Sequence, residues 1–93
     1  MKVVINACHG GFGLSDMALA EFKARKGITD PHFYEHEIDR DDPVLVDIVE
    51  TFGNDANTRY SELKIVEIPD DIEWYVEEYD GREWVAEAHR TWD

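Results

Sequence analysis

The chain has 93 residues, and its 22 acidic and nine basic side chains give a formal net charge of −13. This length supports one domain, residues 1–93, and leaves no room for a second core. Hydrophobic residues make up 43% of the chain, enough to bury a core, which excludes a disordered chain. No apolar run approaches the roughly 20 residues of a membrane span. Direct nucleic-acid binding is disfavoured because an acidic surface repels phosphates.

Cys8 is the single cysteine, which excludes an internal disulfide framework and a multi-cysteine metal site. Polar residues interrupt the apolar start of the chain too early for it to be a signal peptide. Together these features predict a reducing, cytoplasmic location. The charge is uneven, because residues 1–28 carry a net +2 and residues 29–93 carry −15. An excess of one sign over most of the chain would attract a basic partner.

Three strands are predicted before the C-terminal third. The first is the run 3–5, whose β-branched residues lack polar alternation and are typical of a strand covered on both faces. The second extends over 33–38 and the third over 63–68. One face of the second strand would carry Tyr34, His36 and Ile38.

Two helices are predicted between these strands. The first covers residues 15–26, with the Ser15 side chain as its cap and Gly27 as its left-handed stop. The second lies between Asp42, its cap, and Gly53. The buried stripe of the first helix would comprise Leu14, Met17, Ala18 and Phe22.

Asp80 and Gly81 predict a two-residue hairpin turn between two C-terminal strands. The cross-strand pairs in this register are Val76 with Val85, Glu77 with Trp84, and Glu78 with Glu83. The last pair sets like charges opposite each other, so a bulge could shift the register. The segment 85–92 could instead be helical, and that alternative stays open.

The predicted order of elements is β-α-β-α-β-β-β. Strands that alternate with helices favour a parallel sheet. The expected fold class is therefore α/β (α+β), with a small, mostly parallel sheet in β-α-β-α-β order that is extended by a C-terminal antiparallel hairpin.

The segment from Cys8 to Ser15 joins the first strand to the first helix and contains three glycines. Free amides and the helix dipole at such a turn bind anions, and glycines let a phosphate approach the main chain. Because the segment matches neither G-x-G-x-x-G nor the phosphate loop G-x-x-x-x-G-K-[ST], tight packing of helix on sheet is the alternative role for its glycines. The predicted anion site comprises His9, Gly10, Gly11, Phe12, Gly13 and Ser15, and Tyr79 and Trp84 would stack on a base.

Other reactive side chains give weaker patterns. A cysteine near a helix N-terminus, such as Cys8, can be a nucleophile, but adjacent strand residues point to opposite faces, so His9 is poorly placed as its base. No catalytic residue is therefore assigned. His32 and His36 on one strand face would lie roughly 13 Å apart, too far for one metal ion. No metal and no cofactor is expected.

The hairpin holds more aromatic residues than one small core needs. Tyr75, Tyr79 and Trp84 fall on one face of the predicted hairpin, beside Glu77 and Arg82. Such a face is typical of an interface or of a stacking platform for a flat ligand. A homo-oligomer would bury it most simply.

Several segments resemble one protein family over nearly the whole chain. They are Val4-Ile5-Asn6, Gly10-Gly11-Phe12-Gly13-Leu14-Ser15, Asp39-Arg40-Asp41-Asp42-Pro43, Val66-Glu67-Ile68-Pro69-Asp70-Asp71, Glu78-Tyr79-Asp80-Gly81, Glu83-Trp84-Val85-Ala86-Glu87 and His89-Arg90. Together they resemble a family of short proteins encoded by bacteriophages and prophage regions. The resemblance implies an accessory protein in the cytoplasm of an infected host bacterium. It implies no reaction and transfers no catalytic residue.

Three functions remain open from these patterns. The first is a non-enzymatic phage accessory protein that counters host defence, by analogy with other phage proteins of this size, by binding a small anionic, nucleotide-like ligand at the glycine-rich turn. The second is an acidic inhibitor that mimics nucleic acid and binds a basic host protein. The third is a small enzyme that uses Cys8 or His9.

Overall fold

The structure, a computed structural model, describes residues 1–87 and the backbone of 91–92. Its strands are β1 (Lys2–Asn6), β2 (Leu63–Glu67), β3 (Tyr75–Tyr79), β4 (Arg82–Ala86) and β5 (Thr91–Trp92), and its helices are α1 (Asp16–Lys26) and α2 (Pro43–Phe52). Short 3-10 turns lie at Glu35–Glu37 and Gly53–Ala56. None of the helices in this described part has the length and apolar character needed to cross a membrane.

The strands form two antiparallel sheets, one of β1 and β2 and the other in the order β3-β4-β5. Val4 lies opposite Ile65 at the centre of the first sheet, so β1 runs antiparallel to its neighbour. The predicted mostly parallel sheet in β-α-β-α-β order is therefore wrong, and the fold is α+β. The C-terminal antiparallel hairpin of that prediction is present as β3 and β4.

β1 is covered on both faces, as its apolar run predicts, but by two different layers. Val4 packs in a cluster with helix residues such as Leu45. Val3 and Ile5 belong to a second cluster that includes Val85 of β4. The β1–β2 sheet therefore lies between the helices and the second sheet. The alternation of strands with helices predicted parallel neighbours, whereas β1 pairs antiparallel and a second antiparallel sheet covers its other face.

Both helices begin and end as predicted. At the start of α1 the Ala18 N–H donates to Ser15 Oγ at 3.2 Å, and Gly27 ends the helix with a φ of 68°. At the start of α2 the Val44 N–H donates to Asp42 Oδ1 at 2.8 Å. Side-chain caps and a left-handed glycine thus define the helix ends here.

The predicted buried stripe of α1 is correct except at Met17. Leu14, Ala18 and Phe22 are buried, whereas 53% of Met17 is exposed. The three buried residues are spaced four apart and follow one line along the helix. Met17 lies off that line.

The predicted strand over 33–38 is wrong, because Glu35–Glu37 forms a 3-10 turn. The Tyr34 N–H donates to the Glu37 carboxylate at 2.9 Å, and the His32 N–H donates to Asp30 Oδ1 at 2.8 Å. These local bonds occupy amides that a strand ladder would need. The tyrosine expected beside Ile38 on one strand face is exposed instead.

The hairpin has the predicted register, with Val76 opposite Val85. Asp80 and Gly81 have φ values of 52° and 90°, as a type I′ turn requires. Glu78 and Glu83 lie directly opposite each other without a bulge. The helical alternative for 85–92 is contradicted at both ends of the segment, since β4 continues to Ala86 and 91–92 form β5; residues 88–90 lie outside the described residues.

Candidate functional site

The glycine segment (residues 9–13) lies between the turn at 58–61 and the hairpin turn. A Cβ on Gly10 would stand 1.7 Å from the Tyr60 carbonyl oxygen. A Cβ on Gly81 would stand 2.5 Å from the His9 carbonyl oxygen. Both positions require glycine because two stretches of main chain meet there. Close packing thus accounts for glycine at Gly10.

The buried side chain of Asn6 forms hydrogen bonds at or next to each of these three segments. It is fully buried, and its Nδ2 donates to the carbonyl oxygens of Cys8 and Gly81, each at 2.7 Å. Its Oδ1 accepts from the Glu62 N–H at 2.8 Å. Asn6 is not among the site residues predicted from the sequence. A lone amide that ends a fully apolar strand before a glycine turn was the available signal.

Arg40 and Glu83 form a second buried link, which the sequence analysis also missed. Arg40 Nη1 and Nη2 donate to the two Glu83 oxygens at 2.5 and 2.8 Å, and the Asn6 N–H donates to Glu83 Oε1 at 2.8 Å. The guanidinium carbon lies 3.6 Å from the centre of the Phe12 ring. The available signal was the unfavourable pairing of Glu83 with Glu78, which Arg40 offsets by neutralising one carboxylate.

Donors at the start of α1 are partly used inside the protein. The Ser15 N–H, predicted to hold phosphate, donates to the Ala56 carbonyl oxygen at 2.8 Å. Ser15 Oγ donates to the Asp55 carbonyl oxygen at 2.7 Å while it accepts from Ala18. The Glu35 carboxylate would lie 3.6 Å from a Cβ on Gly13. A negative charge therefore borders the turn predicted to receive an anion, which lowers its attraction for one.

Cys8 and His9 do not form a nucleophile and base pair. The Cys8 thiol donates to the Tyr60 carbonyl oxygen at 3.2 Å and to Asn6 Oδ1 at 3.5 Å. His9 is exposed. Among the described residues, no group of three or more His, Cys, Asp or Glu side chains could hold a metal ion.

Tyr79 and Trp84 share the outer face of the hairpin rather than the face that meets the glycine segment. Tyr79 is 73% exposed, and Trp84 Nε1 donates to Glu77 Oε2 at 3.1 Å. Because side chains alternate along a strand, Glu83 and Val85 point to the opposite, inner face. The structure brings the hairpin turn to the glycines but leaves both predicted stacking rings on the other side of the sheet.

Carboxylates dominate the surface of the C-terminal third. Residues 67–87 contain nine acidic residues and one basic residue. Those on the acidic surface, as we term the exposed carboxylates of residues 67–80, are Glu67, Asp70, Asp71, Glu73, Glu77, Glu78 and Asp80. This concentration of one sign gives the surface a strongly negative potential.

Several cations elsewhere are already paired within the chain. Lys2 Nζ lies 3.0 Å from Glu50 Oε2, and this hydrogen bond raises the pKa of Lys2 above its ordinary value. Arg25 contacts the carboxylates of Glu21 and Asp47 at 2.6 and 2.5 Å, and hydrogen bonds to Asp47 and then Glu21 raise its pKa. These pairs lie outside the acidic surface, where the N-terminal ammonium group of Met1 contacts Asp70 and Lys2 lies opposite Glu67.

A cavity of about 750 Å³ opens beside the acidic surface, where the chain enters β3. We call it the aromatic cavity, and it is lined by Ile72, Glu73, Trp74, Tyr75 and Glu87. Two aromatic side chains and two carboxylates thus share one concave site.

A scan of protein-family models and searches of curated proteins and solved structures found no match to this chain. The resemblance to short phage-encoded proteins therefore stays a prediction.

Proposed function

We propose that this protein is a non-enzymatic acidic binding protein that captures a basic protein partner on its acidic surface. The observation that carries the proposal is the concentration of nine acidic residues against one basic residue in residues 67–87. Most of these side chains face solvent, although the Asp70 carboxylate contacts the N-terminal ammonium group of Met1. In the phage setting that the resemblance implies, the partner is a protein of the host cytoplasm.

Charge of one sign acts before contact is made. A strongly negative patch steers a basic surface into encounter and raises the association rate. The effect reaches about 8 Å at physiological salt, the Debye length, and farther at low salt. The partner therefore needs a basic patch that matches the acidic surface, and binding weakens as salt rises.

The anionic-ligand function at the glycine segment has less support than the acidic-surface function. Its predicted donor, the Ser15 N–H, bonds to Ala56, and the Glu35 carboxylate beside Gly13 repels an anion. Titration calorimetry with linear and cyclic nucleotides tests this function separately, and saturable heat would restore it.

Affinity capture from bacterial lysate with two charge-matched variants tests the proposed function. The test variant removes four carboxylates of the acidic surface: Glu67→Gln, Asp70→Asn, Asp71→Asn and Asp80→Asn. The control variant removes four exposed carboxylates elsewhere: Asp16→Asn, Asp39→Asn, Asp41→Asn and Asp55→Asn. Both carry the same net charge, so only the position of the charge differs.

The expected result is a basic protein that is captured at low salt by the wild type and by the control variant but not by the test variant. High salt should release it. Equal retention by both variants, or loss from both, would show that overall charge rather than the acidic surface is responsible and would contradict the proposal.

A further inference from the structure

We propose that the aromatic cavity receives an arginine side chain of the basic partner. The inference rests on the proposed function and assigns a specific contact to it. Its basis is the combination of a concave shape, two aromatic residues and the exposed carboxylate of Glu73 in one lining.

The walls of the cavity are held by the core beneath them. Ile72 and Trp74 are half-buried and pack against the cluster that contains Val85. Tyr75 begins β3 and is 50% exposed, so it is accessible to a side chain that approaches from solvent. A rigid inner wall and an accessible outer wall suit a site that is present before its ligand arrives.

The chemistry of the lining selects a flat cation. A guanidinium group stacks on aromatic faces and donates paired hydrogen bonds to carboxylates. Trp74 and Tyr75 supply the aromatic faces, and Glu73 supplies an exposed carboxylate. A lysine ammonium is compact and strongly hydrated, and it has no plane to stack. The lining therefore favours arginine over lysine.

The size of the cavity fits an arginine and part of its peptide. Its volume of about 750 Å³ falls within the roughly 300–1,000 Å³ of small-molecule sites. One side chain does not fill this space, so the flanking main chain of the partner also enters.

An NMR titration of the full chain with three capped tripeptides tests the site without the partner. The peptides are acetyl-Gly-Arg-Gly-amide, its lysine analogue and its citrulline analogue, in which a neutral urea replaces the guanidinium. The arginine peptide should produce saturable shifts at the Trp74 indole N–H and the Tyr75 amide. The amide of Gly27, at the end of α1, is the internal reference.

The affinity of the lysine peptide should be at least about threefold lower than that of the arginine peptide, and the citrulline peptide should give no saturable shift. Equal binding of arginine and citrulline peptides would overturn the proposal, as would shifts that are largest away from the cavity. Equal binding of arginine and lysine would overturn the assignment to a flat cation.

Matched variants locate the contact. Glu73→Gln and Tyr75→Leu should each lower the affinity for the arginine peptide about threefold or more. Their controls, Glu62→Gln just before β2 and Tyr79→Leu at the other end of β3, should leave the affinity within about twofold. Both tyrosines are at least half exposed, so either change should be compatible with folding.

The outcome separates this inference from the proposed function. If the test variant loses the captured protein while Glu73→Gln and Tyr75→Leu retain it, the acidic surface binds the partner and the cavity does not. If no captured protein depends on the acidic surface, the proposed function fails, and the arginine titration still reports directly on the cavity.

Discussion

At Glu83, three donors converge on one carboxylate. The Asn6 amide and both terminal nitrogens of Arg40 donate to it, and its side chain is only 8% exposed. A buried ion pair gains little net stability over an apolar pair, but it is costly to break from one side. This pair connects the hairpin to β1 and to Phe12 of the glycine segment, so its loss would affect both.

Glu83→Leu should lower the free energy of unfolding by about 3–5 kcal/mol, because it leaves the largely buried Arg40 unpaired. The exposed pair of Lys2 and Glu50 supplies the control, and Glu50→Ala should change the free energy of unfolding far less, because both partners lie in solvent. Urea unfolding measures both.

The double variant Arg40→Met with Glu83→Leu should be more stable than Glu83→Leu alone, since no unpaired charge remains. A double variant as unstable as the single one would contradict the assignment of the cost to the buried charge.

Asn6→Asp changes one atom type at the centre of the same network. It removes both donors that hold the Cys8 and Gly81 carbonyls and sets a carboxylate against them. The Glu62 N–H would still donate to the new carboxylate, but the buried charge would face two carbonyl oxygens, so a loss of about 3 kcal/mol or more is the expected result in urea unfolding. Asn54→Asp, an exposed position, should change stability by less than about 0.5 kcal/mol. Similar effects at the two positions would contradict the structural role of Asn6.

Among the elements, those set by neighbouring residues could be predicted and those set by distant ones could not. Ser15, Gly27 and Asp42 define helix ends within a few residues, and Asp80 with Gly81 fixes the hairpin register. The prediction of a strand at 33–38 was wrong because the alternating pattern resembles a strand, whereas the carboxylates of Glu37 and Asp30 accept hydrogen bonds from nearby amides. The pairing of β1 with β2 joins residues more than 50 positions apart, which no local pattern reveals.

The candidate site follows the same rule. The glycine segment was recognisable from its composition, but its neighbours come from remote parts of the chain. Asn6 bonds to Gly81, 75 residues away, and Arg40 bonds to Glu83, 43 residues away. The aromatic cavity is also closed by Glu87 from beyond β4. The residues that form a site can be predicted from the sequence only when they lie close together along the chain.

Gly10→Ala should destabilise the connection between β1 and α1 by about 2 kcal/mol or more, because the added methyl meets the Tyr60 main chain. Backbone on both sides leaves no side chain to move aside. Gly27→Ala meets no atom within 4 Å and should cost only about 1 kcal/mol, from its left-handed φ. Urea midpoints measure both changes. A Gly10→Ala protein more stable than Gly27→Ala would contradict the packing role.

The start of α2 should give stability that depends on pH. Partial burial raises the pKa of Asp42, but hydrogen bonds from Lys26 and from the Val44 amide outweigh it, so the pKa lies below its ordinary value of 3.8. A carboxylate with a lowered pKa contributes stability that is present above the unfolded-state pKa and is lost as pH falls through the folded-state value.

Asp42→Asn keeps a capping oxygen but removes the charge beside Lys26. The wild type should therefore exceed this variant in free energy of unfolding by up to about 1 kcal/mol near neutral pH. The difference should shrink as pH falls below 3.8. Combining both proteins with Lys26→Met should reduce the difference at neutral pH. A difference that grows toward low pH would contradict the sign.

At the scale of the whole molecule, charge decides which associations are favoured. Two copies that each carry −13 repel one another, so self-association through the outer face of Tyr75, Tyr79 and Trp84 should strengthen with salt. Binding of a basic partner should instead weaken as salt rises. The homo-oligomer stays a prediction, and sedimentation over a range of salt tests it.

The most direct test measures the association rate constant with the captured basic partner from low to high salt. The logarithm of the rate should fall with increasing salt for the wild type and the control variant, and clearly less steeply for the test variant. The same slope in all three proteins would show that the carboxylates of residues 67–80 do not attract the partner and would contradict the account.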